Sequence, residues 1–150
     1  MIPKGPDAIR NLVARIGMDL IPKAGDAYTA TDLVYFTVLL GMVAQDYDRA
    51  AEVLVDEHAA LVPIFRGAAA NIADAALGAR IAAALAMEPA SLRVRDLNAR
   101  SDILLKLLIN VHAAVEEAEG GGADWARRLN GKIWAFLDTH VTAHAYDVPI

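Results

Sequence analysis

From Leu33 to Leu61 the apolar residues return every three or four positions. Leu33, Phe36, Leu40, Val43, Ala44, Tyr47, Ala51, Leu54, His58 and Leu61 share one stripe at roughly 100° per residue. That period admits a helix and excludes a strand, whose side chains alternate from face to face. Thr29 with Asp32 three positions on reads as a variant capping box, so a long helix is predicted from about residue 30 to 61. Its first half is apolar on the opposite side too, at Val34, Val38 and Met42, where the second half carries Gln45, Arg49, Glu52 and Asp56. The first half therefore needs cover all round, from this chain or from another.

The remainder follows the same period. A first helix after Asp7 places Ile9, Leu12, Val13, Ile16 and Leu20 on one face before Pro22 and Gly25 stop it. Pro63 suits the first turn of a new helix, and the small residues from Pro63 to Arg80 favour short, closely packed helices, with Asn71 or Asp74 capping a segment that ends near Met87. Pro89 opens the next helix, which keeps Leu97, Ser101, Leu104, Leu105, Leu108, Val111, His112 and Val115 on one stripe as far as Gly120-Gly121-Gly122. Asp124 caps a last helix that turns Leu129, Ile133, Phe136, Leu137, His140 and His144 inward, with Gly131 marking a close helix contact. No tract alternates long enough to suggest a strand. The expected fold is all-α: a single-domain antiparallel helical bundle of about five helices.

A chain of 150 residues can bury a continuous core without disulfides, and this one has no cysteine. That removes thiolate catalysis, cysteine-based zinc and iron–sulfur sites, and agrees with a cytoplasmic location. The longest apolar run, Leu33 to Ala44, is interrupted by Thr37 and Gly41 and reads as a buried core helix, so no membrane association is expected. The net charge of −5 and the scattered basic residues argue against nucleic acid.

Chemistry rests on the histidines. His140 and His144 stand one helical turn apart and can share a metal ion through imidazole nitrogens. His112 with Glu116 repeats the spacing, and His58 lies on the stripe of the long helix. If the three helices face one another, His58, His112, Glu116, His140 and His144 are candidate ligands for a transition metal, or His140 or His144 an axial ligand for haem. Nothing in the sequence requires a cofactor. The competing reading makes each histidine a packing residue bonded to a carbonyl or water, since helical spacing produces such pairs by chance. Di-iron carboxylate bundles need Glu-x-x-His motifs, and none occurs.

Neither Ser91 nor Ser101 sits in a nucleophile elbow, and Ser101 is read as a small residue bonding the preceding turn's carbonyl. Asp46, Asp48, Glu52, Asp56 and Glu57 are read as a solvated face. With no catalytic motif, the leading expectation is a non-enzymatic helical domain that forms a homodimer or binds a protein partner through Leu33, Val34, Val38 and Met42. Small-molecule, metal or haem binding inside the bundle is the alternative.

Overall fold

The structure is a computed structural model and describes residues 4–147. It is all-α: 84% helical, with five α-helices and no strand among the described residues. They are α1 (Gly5–Arg15), α2 (Ala27–Ala69), α3 (Ala75–Ala86), α4 (Val94–Gly120) and α5 (Asp124–Ala143). The chain divides into two compact units, one holding the segment up to Ala50 together with the chain from Ala145, the other Ala51–His144.

In the first unit, α1 starts at Gly5, two residues before the expected cap at Asp7. Pro6 provides a preset φ in the first turn, and Asp7 faces the helix dipole while pairing with Arg10 at 3.1 Å. The helix widens into a π-turn over Ile16–Leu20, where the Ile21 amide reaches Ile16, and ends in a 3₁₀ turn at Pro22. The cap of α2 is Asp26, not the predicted Thr29–Asp32 box. Its carboxylate accepts from the Thr29 amide and hydroxyl, each at 2.8 Å, and the amide bond is the main force lowering its pKa. Gln45 and Arg49, expected to face water, instead tie down the segment after α5. Gln45 exchanges two 3.0 Å bonds with the Asp147 backbone, and Arg49 donates to the Ala145 carbonyl at 2.6 Å.

Apolar surface in this unit stays largely exposed. Tyr28, Val34, Tyr35, Phe36, Leu39, Val43 and Tyr47 all face out, although Phe36, Val43 and Tyr47 belong to the stripe assigned to the core. Of the proposed partner residues, Val34 is exposed, whereas Leu33, Val38 and Met42 are half-buried. Val38 and Met42 share a recess of about 160 Å³ with Val13.

The second unit carries the core. α2 continues past Leu61 to Ala69, with Pro63 inside it, rather than restarting at Pro63. An interior proline costs about 3 kcal/mol through its missing amide and ring clash. Here Pro63 and Ala59, whose carbonyl loses the bond, lie on the exposed side, and water can serve the carbonyl. Leu61, Ile64, Phe65 and Ala68 continue the stripe into the core, and burying the three large ones is worth about 1.5–3 kcal/mol each. Burial wins. The close helix approach falls at Gly67, where a Cβ would stand 3.2 Å from Leu129 Cδ1; Gly131, the predicted contact, has open space.

Asp74 caps α3, accepting from the Ala76 and Leu77 amides at 2.8 and 3.1 Å, and Asn71 closes α2 by donating to the Gly67 carbonyl. α4 begins at Val94 instead of Pro89. Ser91 accepts the Arg93 amide and donates to Asp96 at 2.6 Å, which holds the preceding residues in a turn. Past Gly120, the Ala123 amide bonds back to Ala118 while Gly122 takes φ +85°, the left-handed conformation that glycine supplies. Ala123, not Asp124, stands at the α5 cap; Asp124 opens the first turn. The core joins Leu61, Ile64 and Phe65 of α2 and Leu77 and Ile81 of α3 to Leu104, Leu107, Leu108, Val111 and Val115 of α4 and Leu129, Ile133 and Phe136 of α5.

Candidate metal centre

Near one end of this core stripe a carboxylate replaces an apolar side chain. Glu57 follows Leu54 by three positions and precedes Leu61 by four, so the helix carries it inward, and it is only 7% exposed. A carboxylate in that position needs partners. α5 supplies them: His140 Nδ1 lies 2.6 Å and His144 Nε2 2.9 Å from the same oxygen, Glu57 Oε1. Both ring nitrogens donate to it in this arrangement.

The pair is held from several sides. The His140 ring stacks on Phe136, a core residue of the same helix, with centroids 5.9 Å apart. His144 meets His140 edge-on at 4.7 Å and is about half exposed at its side chain, so one side of the centre opens to water. Two imidazole nitrogens and a carboxylate oxygen lie within 4.8 Å of one another, and this is the one such group of three or more potential ligands found among the described residues.

The five predicted ligands do not share one interior space. His140 and His144 converge, and the third member is Glu57, whose place in an acidic run points to solvent but which is buried. His58, beside Glu57 in sequence and only 4% exposed, bonds instead to Ser101 of α4, Nε2 to Oγ 2.8 Å. Burial holds its pKa below the ordinary histidine value, and the Arg100 cation adds to the effect. Ser101 thus meets a histidine of another helix rather than the preceding turn's carbonyl. His112 lies in a third place: its Nε2 is 2.9 Å from Asn130 Oδ1, Asn130 donates to Glu119 at 2.6 Å, and Glu116 stands 3.6 Å off on the exposed side. Trp134 packs edge-on against that ring. Bonded to an amide and backed by an indole, His112 and Glu116 stand apart from the Glu57 group.

The signal for Glu57 was present in the sequence. Positions 54, 57, 58, 61, 64, 65 and 68 form an unbroken three-and-four pattern, and Glu57 is its one carboxylate. Compared with protein-family models, curated proteins and solved structures, the chain has no match.

Proposed function

We propose that this chain binds a divalent transition-metal ion through Glu57 Oε1, His140 Nδ1 and His144 Nε2. The reading rests on one observation, the convergence of these three donor atoms from helices 83 and 87 residues apart in sequence. Two neutral imidazoles and one carboxylate suit zinc and its first-row neighbours, and three protein donors leave coordination positions for water or substrate. Ligands at about 2.0–2.1 Å from a tetrahedral ion lie about 3.3 Å apart, so the present 2.6 and 2.9 Å separations need to open by about half an ångström. The ion would replace the two N–H donors and leave each proton on the other ring nitrogen. Glu57 offsets one positive charge, and the exposed flank of His144 gives the ion a path from solvent.

The test is zinc titration by calorimetry on untagged protein, with metal content measured by mass spectrometry. One zinc per chain is expected, lost in Glu57→Gln and in His140→Ala/His144→Ala. Glu57→Gln keeps the side chain's size and one acceptor oxygen. Zinc stoichiometry unchanged in both variants overturns the assignment.

A second reading concerns the first half of α2. Its exposed Tyr35, Phe36, Leu39 and Val43 support contact with a second copy of the chain. α2 is also long and apolar enough, by length and composition, to cross a membrane. Light scattering should show concentration-dependent dimerisation that Phe36→Glu abolishes. A monomer at all concentrations defeats the dimer, and flotation with liposomes in its place would assign the same surface to lipid.

A further inference from the structure

The buried polar atoms without a hydrogen-bond partner among the described residues are His58 Nδ1 and Arg100 Nε. They belong to neighbours in space: Arg100 precedes Ser101, which holds the other nitrogen of His58 at 2.8 Å. A buried polar group left unpaired loses its hydration without compensation, and two such groups around one serine call for a common partner. His58 and Arg100 both line a cleft of about 300 Å³ whose other walls include Val55, Val62, Pro89 and Leu92. His58 and Arg100 give that cleft its donors, Glu88 is the one acid in its lining, and the remaining walls are apolar.

We propose that this cleft binds a small organic carboxylate, with Arg100 Nε–H and His58 Nδ1–H donating to the carboxylate and the apolar tail lying along Val55, Val62 and Leu92. Ser101 is a positioning residue. When its hydroxyl donates to His58 Nε2, the ring proton sits on Nδ1 and the imidazole becomes a donor towards the cleft. Ser101 does not line the cleft, which sets this pair apart from a serine nucleophile and its base. Glu88, the carboxylate that lines the cleft, is well exposed and comes no nearer to Arg100 Nη1 than 4.0 Å, leaving Nε to a ligand. The volume lies at the lower end of small-molecule sites, which limits the ligand to a short chain or a single ring.

The experiment is NMR-detected titration of the intact chain with octanoate, reading the Arg100 Nε–H and His58 ring nitrogens beside those of His140 and His144. Octanoate should shift the Arg100 and His58 signals saturably. 1-Octanol, with the same tail and no charge, should bind about ten- to a hundredfold more weakly, as should octanoate to Arg100→Gln, the loss expected for a charged hydrogen bond. Equal affinity for octanol and octanoate overturns the proposal, as do shifts confined to His140 and His144, which would place the carboxylate at the metal centre instead. Val62→Phe, which adds bulk to an apolar wall of the cleft and leaves both donors intact, should also weaken binding; unchanged affinity there refutes the tail's placement. Should Arg100→Gln fail to fold, the octanol comparison and the site-resolved shifts decide the matter.

Discussion

The two units put the same kind of sequence to opposite use. Before Ala50, α2 and its neighbours bury only Ile16 and Ala44 among their described apolar residues, while after Ala51 the apolar stripes of four helical segments close into one core. Both halves of α2 carry the helical period. A stripe becomes core only when other elements offer it a matching face, and the stretch from Ala51 has three such helices in its own unit. Periodicity fixes which residues stand together on a helix; it does not say whether anything covers them.

The sharpest way to break this contrast is a matched pair of truncations. Phe65→Ala, at 1% exposure, should cost about 3–5 kcal/mol in denaturant unfolding, whereas Phe36→Ala, at 56%, should stay within about 0.5 kcal/mol. A large loss at Phe36 would mean that its face is covered in solution. Next comes the adjacent acidic pair. With chelator present, Glu57→Ala should lower stability by about 1–3 kcal/mol by stripping two imidazoles of their acceptor, while Asp56→Ala, on the exposed side, should leave the midpoint nearly unmoved. Equal effects would place both carboxylates in water.

Smaller differences test the packing of glycines. Gly131→Ala, into open space, should stabilise by about 0.5–1 kcal/mol, the usual helix gain, and Gly67→Ala should gain less because Leu129 must yield. Thermal melts of the two variants measure it, and a larger gain at Gly67 would argue against close packing there. The smallest effect belongs to Asp26. Its folded pKa is lowered, so the unfolded chain takes up the proton first, and the cap's contribution is complete above the ordinary aspartate range near about 3.9. It fades as pH falls through the folded value. The Thr29 amide shift, followed by NMR into acid, should report the bond breaking. In Asp26→Asn that acid transition should vanish.

How far the sequence could be read depended on the range of the forces involved. The all-α class and the long second helix follow from local spacing, and Asp74 and the triple glycine work through bonds to residues close in the chain. Pro63 misled because its local penalty is visible in one dimension, whereas the burial of Phe65 that outweighs it depends on three other helices. Glu57 misled because Asp56 beside it suggests a charged run, though at that register Asp56 falls on the exposed side and Glu57 on the buried one. His140 and His144 were legible as a pair; their acceptor, 83 and 87 residues away, was not. Nothing in the spacing of His58 announced Ser101 or Arg100 as its neighbours.

The bond between Glu57 and the α5 histidines also sets an order of events during synthesis. A ribosome that has made α2, α3 and α4 has already produced the carboxylate and most of the apolar faces, yet His140 and His144 do not exist. Until they emerge, the Glu57 face of α2 lacks the helix that supplies its hydrogen-bond donors. The arrival of the two imidazoles is therefore the step that gives the carboxylate its partners and lets that end of the core close over it.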